Sequence, residues 1–189
     1  VGGSATVQPG DVAEAWTLRN ASLLLLPGSR ATGISLQRSD VEINGGRVDH
    51  DTNYEYALSI FESRAVIRDS ALTSARNGAI RLRRNSAGGV TPEMTMSNSQ
   101  AQGLGGALFV AGGRAVVSSS MLESSGRQAD LGASAVLISG NSEVVLKDGT
   151  TAVGDEHGLE IADYALQSAL TDNVVTLDHS ALIGRNGTG

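Results

Sequence analysis

Residues 106–122 read GALFVAGGRAVVSSSML, and this stretch contains every element of a unit that returns along the chain. It begins with a small, an apolar, a variable and a second apolar residue, Ala107-Leu108-Phe109-Val110. Apolar residues two apart lie on the same face of a β-strand. A second such pair, Ala115/Val117, and a third apolar position, Leu122, follow, with the turn-forming Ser118-Ser119-Ser120 between them. The stretch predicts three short strands joined by a bend and a tight turn.

The same unit recurs six times, with leading apolar residues 24, 22, 28, 28 and 23 positions apart. First strands begin at Gly33-Ile34, Ala57-Leu58, Ala79-Ile80, Ala107-Leu108, Ala135-Val136 and Gly158-Leu159. Second strands carry Val41/Ile43, Ala65/Ile67, Met94/Met96, Ala115/Val117, Val144/Leu146 and Val175/Leu177. The third position follows five residues later, at Val48, Leu72, Ala101, Leu122, Thr151 and Leu182. We expect an earlier, partial unit in which Leu18 leads to Leu23 through a tight turn at Asn20.

A side-chain pattern that returns every 22–28 residues predicts an all-β parallel β-helix of six to seven stacked coils. Amphipathic helices would need apolar residues at i, i+3, i+4 and i+7, which no long segment presents cleanly. A β-sandwich would explain some strand spacings but not the repeat. Residues 1–189 are expected to form one β-helix segment, a fragment of a longer stack of coils.

The composition limits the function classes. Apolar residues make up 40% of the chain and aromatic residues 3%, which fits a thin, layered aliphatic core. The net charge of −6 argues against a nucleic-acid partner, because binding to phosphates needs a concentrated basic surface. The chain has no cysteine, which excludes disulfides, thiol catalysis and cysteine-bound metal.

Four loops interrupt the repeat, near residues 50–56, 83–93, 124–131 and 162–173. Insertions in solenoids map to loops that often carry function. The candidate partner-binding side chains are tyrosines, as amphipathic interface anchors, and arginines, as a basic spot for carboxylates or sulfates. They are Tyr54, Tyr56, Arg81, Arg83, Arg84, Arg127 and Tyr164. The alternative is that these are solvated loops that the fold tolerates.

Catalytic patterns are missing from the sequence. It contains no H-E-x-x-H, G-x-S-x-G or P-loop motif, and the three histidines occupy different stages of different units. Glycoside hydrolysis needs two facing carboxylates, yet Asp49 has no acidic counterpart one unit later. We therefore expect no enzyme activity, cofactor or metal. A carbohydrate-active enzyme of the lyase or glycosidase type remains the alternative.

Residues 106–122, and residues 57–72 in the same way, resemble a coil of the pertactin-like passenger domains of Gram-negative autotransporters. The resemblance covers about residues 15–185. It implies a right-handed, three-faced β-helix, carried through the outer membrane by a C-terminal translocator domain and displayed on the cell surface or secreted after cleavage. It further implies an adhesin or virulence factor that binds a host protein or receptor, is monomeric and contacts the membrane only through the translocator. A structural stalk without a ligand is the other reading.

Overall fold

The computed structural model describes residues 3–51, 56–85, 88–127, 133–162 and 172–186, and these residues form 23 strands and no helix. The strands are β1 Ser4–Val7, β2 Val12–Ala13, β3 Trp16–Arg19, β4 Ser22–Leu25, β5 Arg30–Ala31, β6 Ile34–Gln37, β7 Asp40–Asn44, β8 Arg47–His50, β9 Leu58–Phe61, β10 Arg64–Arg68, β11 Ala71–Ser74, β12 Ile80–Arg83, β13 Glu93–Ser97, β14 Gln100–Gly103, β15 Leu108–Ala111, β16 Arg114–Ser118, β17 Met121–Ser124, β18 Ser134–Ser139, β19 Glu143–Lys147, β20 Thr151–Gly154, β21 His157–Ile161, β22 Val174–Asp178 and β23 Ala181–Gly184. Within the described ranges, no helix is available that could cross a membrane.

Every third strand belongs to the same parallel sheet. Sheet A runs β1-β4-β7-β10-β13-β16-β19-β22, sheet B runs β2-β5-β8-β11-β14-β17-β20-β23, and sheet C contains β3, β6, β9, β12, β15, β18 and β21. One strand of each sheet makes a coil, and successive coils hydrogen-bond to each other through all three sheets. The chain is therefore a parallel β-helix, as the repeat predicted, with seven three-strand coils and two further strands in the described residues.

The predicted apolar positions form continuous columns, meaning sets of residues in register from coil to coil. In sheet A, Ile67 pairs with Ile43 on one side and with Met96 on the other, and Met96 pairs with Val117. In sheet B, Leu72 lies between Val48 and Ala101. These side chains are at most 1% exposed. Each inward aliphatic side chain contributes about 1.5–3 kcal/mol on burial, so the stacked columns hold the fold together.

The interpretation of the earlier, partial unit was wrong. Leu18 pairs with Leu36 in sheet C and Leu23 pairs with Val41 in sheet A, so the step between them crosses the C-to-A corner. Sheet A also shows coils as short as 18 residues, because Ser22 pairs with Asp40. A five-residue step between inward apolar residues occurs at both the C-to-A corner and the A-to-B corner. The spacing alone therefore does not tell which two sheets the step joins.

The fifth unit departs from the five-residue step by one position. Ala152, not Thr151, continues the buried column of sheet B, opposite Leu122 and Leu182. The preceding turn carries an additional residue, Gly149, which has a positive φ of 82°. Thr150 takes the place of the buried serine, and its hydroxyl donates to the carbonyl oxygen of Lys147 at 2.7 Å. The additional residue is absorbed in the turn, and the column of the core is preserved.

Tight turns at the A-to-B corner use a left-handed residue followed by a buried serine. Asp69 and Asn98 have φ near +50°, and each precedes such a serine. The Ser99 hydroxyl accepts from the Ser70 backbone nitrogen at 3.0 Å, and Ser120 accepts from Ser99 at 3.1 Å. The hydroxyls satisfy buried backbone donors that would otherwise be costly to leave unpaired. We call this run of residues the serine ladder.

The four long loops divide between two corners. Residues 51–57 and 125–133 connect sheet B to sheet C, whereas residues 84–92 and 162–173 connect sheet C to sheet A. The A-to-B corner holds no long loop in any described coil. Sheet C therefore lies between the two corners at which the long loops connect the strands.

Candidate functional site

The outer face of sheet C collects aromatic and arginine side chains. Because strand residues alternate between faces, the residues between the buried positions of β9, β12 and β15 point away from the core. They include Phe61, Arg81, Arg83 and Phe109, all only partly exposed. Both phenylalanines of the chain are in this set. We call these four residues, with the adjacent Tyr56, the arginine–aromatic patch.

Arg81 occupies the centre of this patch. Its guanidinium carbon lies 4.8 Å from the centroid of the Tyr56 ring and 5.0 Å from that of Phe61. Phe109 is its register partner in the next coil. A guanidinium over an aromatic face gains about 0.5–2 kcal/mol per ring, depending on desolvation. The two rings therefore fix the position of a cation that would be mobile on an open surface.

Tyr56 is buried, with 6% of its surface exposed, so it is not the exposed anchor that the sequence suggested. Its ring packs on the backbone of Gly78, where an added Cβ would lie 2.4 Å from the ring. Burial raises the pKa of the Tyr56 phenol to about 12, against the opposing effect of the Arg81 charge. The Tyr56 phenol stays neutral at physiological pH, and its ring packs against the guanidinium of Arg81.

The other candidate arginines differ in position. Arg83 pairs in register with Phe61 and Ala111, which places it in the patch. Arg84 lies just after β12, where its Nε donates to the carbonyl oxygen of Gly89 at 2.9 Å and holds the start of the long loop. Arg127 lies at the B-to-C corner, 3.2 Å from a carboxylate oxygen of Glu156, and is not part of the patch. Tyr54 and Tyr164 lie outside the described residues.

The two phenylalanines were missed by the sequence reasoning. Phe109 is the variable residue of the motif Ala107-Leu108-Phe109-Val110, and Phe61 directly follows Ile60. At the corresponding outward positions the preceding coils carry the polar residues Ser35, Ser59 and Gln37, whereas Leu137 follows Phe109 in its column. An apolar residue at an outward position was the signal that could have located the patch.

Asp49 and Glu123, the two carboxylates of one outward column of sheet B, lie too far apart to act as a hydrolytic pair. Asp49, Thr73, Gln102 and Glu123 follow one another in a single outward column of sheet B. Three strand spacings of about 4.8 Å place Asp49 and Glu123 roughly 14 Å apart. Glycosidase carboxylates lie about 5–9.5 Å apart. Among the described residues, no three histidine or acidic side chains gather closely enough to hold a metal ion.

Comparisons of the chain with family models, with curated proteins and with solved structures found no match. The geometry of its own residues is therefore the basis for a functional proposal.

Proposed function

We propose that this chain is a surface-displayed binding segment, of the kind found in pertactin-like autotransporter passengers, that contacts a host protein through the arginine–aromatic patch. The resemblance of its coils to those passengers suggests the location, on the bacterial surface or released from it. The observation that carries the proposal is the outward placement of Phe61 and Phe109 around Arg81 and Arg83.

The composition of the patch favours a protein partner. Aromatic residues and arginine are enriched in protein interfaces and dominate their hot spots. Phenylalanine, tyrosine and tryptophan supply only 3% of this chain, yet three of them adjoin Arg81. Scattered apolar residues on a surface need no explanation, whereas this concentration on one face does.

The patch is also well ordered for binding. Its phenylalanines and arginines lie on strands, and the rings of Tyr56 and Phe61 hold the guanidinium of Arg81 between them. A rigid surface loses less side-chain entropy when a partner binds. The partner should present apolar groups to the phenylalanine rings and acidic groups to the guanidinium of Arg83, which can form bidentate bonds with carboxylates.

The test is a triple variant built from residues that the same columns already contain. Phe61→Gln copies Gln37, Phe109→Ser copies Ser59, and Arg83→Ala copies Ala111. Beads coated with wild-type chain should adhere to mammalian epithelial cells or to immobilised serum and matrix proteins. The triple variant should lose roughly tenfold or more of the affinity, as expected when hot-spot side chains are removed.

The matched control changes sheet A by the same principle. Arg64→Ser copies Ser22, two coils away in its column, and Val66→Thr copies Thr95. Adhesion should be unchanged in this variant. Equal adhesion by the triple variant would contradict the assignment of the patch, and indifference of the wild-type chain to all host proteins and cells would favour the stalk.

A further inference from the structure

A polar groove runs along the outer face of sheet B, on a different side of the coil from the arginine–aromatic patch. Its main part has a volume of about 1210 Å³ and is bounded on one side by the turns of the A-to-B corner. A second concavity of about 570 Å³ adjoins it, and both share Arg30 and Arg47. The first residues of six successive sheet B strands, β5 to β20, form its floor. At about 4.8 Å per coil the groove is roughly 24 Å long.

Two arginines at one end of the groove are held by a single carboxylate. Asp49 Oδ2 lies 2.8 Å from the Nε of Arg30 and 2.7 Å from the Nε of Arg47. Thr73 donates its hydroxyl hydrogen to the same carboxylate. The Asp49 side chain is 15% exposed, whereas those of Arg30 and Arg47 are 53% and 60% exposed. Both contacts use Nε, so among the described residues the terminal nitrogens of both guanidinium groups are left for a ligand in the groove.

The electrostatics of this end suit a weakly charged ligand. Burial of Asp49 favours the neutral acid, but the Thr73 hydrogen bond and the two arginines outweigh it and lower the pKa of Asp49. With the carboxylate ionised, Asp49, Arg30 and Arg47 together carry one net positive charge. Asp51 and Asp69 also line the groove, so a densely anionic polymer would meet repulsion there.

Apart from the exposed Met121 and the buried His50, the remaining lining consists of small and hydroxyl- or amide-bearing side chains. Asn98, Ser99 and Gln100 lie at mid-groove, with Ser119 and Ser120 in the next turn. Serine and threonine are under-represented at protein hot spots, and none of the residues lining the two concavities is an aromatic anchor. Closely spaced hydroxyl and amide groups along an extended groove match a chain of sugar hydroxyls better than a protein surface.

We propose that the sheet B groove binds an extended polysaccharide in which single carboxylate groups alternate with hydroxyl-rich neutral sugars. One carboxylate accepts hydrogen bonds from Arg30 and Arg47, because guanidinium groups match carboxylate geometry. The neutral sugars bond to the exposed side chains of Asn98, Gln100 and Ser119, whereas the buried serines of the turns serve the serine ladder. This is a binding site without a chemical step, and it is independent of the host-protein patch on sheet C.

The experiment titrates the full chain with a hyaluronan decasaccharide, which carries one carboxylate per disaccharide, at near-physiological salt. Neutral dextran and heparin fragments of similar length serve as comparison ligands. The variant Arg30→Gln/Arg47→Gln should weaken hyaluronan binding by roughly tenfold or more, since two charge-assisted contacts are removed. Arg114→Gln on sheet A is the matched control, because Arg114 is 51% exposed and also pairs with a carboxylate, that of Glu143.

Each outcome decides the proposal. Binding of hyaluronan that exceeds binding of both dextran and heparin, and that falls only in the double variant, supports it. Absence of hyaluronan binding overturns it, as does tightest binding to heparin with equal losses in the control, which would mean general electrostatic attraction. Equal binding of dextran and hyaluronan would remove the role assigned to the arginines. Circular dichroism of each variant checks that the β-helix is intact.

Discussion

The serine ladder can be tested most sharply at Ser99. This residue is 6% exposed, and its hydroxyl donates to the carbonyl oxygen of Ser97 at 2.6 Å and accepts from the backbone nitrogen of Ser70 at 3.0 Å. In Ser99→Ala both hydrogen bonds disappear, and the Ser70 nitrogen becomes a buried donor without a partner. A net hydrogen bond contributes about 1 kcal/mol and an orphaned buried polar group costs about 1–3 kcal/mol.

These contributions overlap, so we expect the free energy of unfolding to fall by about 2–3 kcal/mol. For a chain of this size the melting temperature should fall by roughly 5–10 °C. The measurement is thermal unfolding followed by circular dichroism, together with hydrogen exchange of the Ser70 amide, which should lose its protection.

Ser97→Ala is the control, since it is the same chemical change two residues away. The Ser97 hydroxyl makes no hydrogen bond among the described residues, and its side chain points outward. It should melt within about 2 °C of wild type, as surface substitutions usually do. If Ser99→Ala melts at the same temperature as Ser97→Ala, the serine ladder does not stabilise the corner and the reasoning fails.

Val117→Asp should unfold several adjoining coils, because it buries an unpaired charge in a column that is fully covered; a melting temperature within a degree or two of wild type would count against the stack. The pKa of Asp49, followed by NMR, should lie below 3.8 and rise in Thr73→Val. Because this folded-state pKa is lowered, its contribution to stability is present above the unfolded pKa and is lost as pH falls through the folded one. In a spectroscopic titration one tyrosine should ionise near pH 12, and this ionisation should be absent in Tyr56→Phe. Its raised pKa stabilises the fold below pH 10, and this contribution is lost as pH rises toward 12; a phenol titrating at 10 would contradict the buried placement.

The core of the β-helix could be predicted in residue detail. Columns such as Ile43-Ile67-Met96-Val117 were visible because an inward side chain must pack on the equivalent residue of the next coil. This requirement acts on every unit, so the pattern survives variation in loop length. The assignment of the partial first unit to its sheets was not predictable. Leu18 and Leu23 have at the C-to-A corner the same five-residue spacing that other units have at the A-to-B corner.

The candidate sites could be predicted only in part. Arg81 and Arg83 were singled out as a basic spot, but their aromatic neighbours depend on contacts between coils that the sequence separates by 20 residues or more. The burial of Tyr56 depends on the lack of a side chain at Gly78, which a strand pattern does not reveal. The groove on sheet B is lined by residues from six successive coils, none of which is unusual in the sequence. The groove exists only because the coils stack in register.

The in-register stack also determines how the chain would respond to a pulling force. Among the described strands, the sheet hydrogen bonds of each coil run to its immediate neighbours, and β10, for example, pairs with β7 and β13. Tension applied at one end along the axis would therefore peel coils off one at a time. The released lengths would differ, because 18 residues separate Ser22 from Asp40 and 29 separate Arg64 from Glu93. At about 3.5 Å per residue these correspond to roughly 60 and 100 Å of extended chain, an unequal series of steps that single-molecule pulling could read as a fingerprint of coil order.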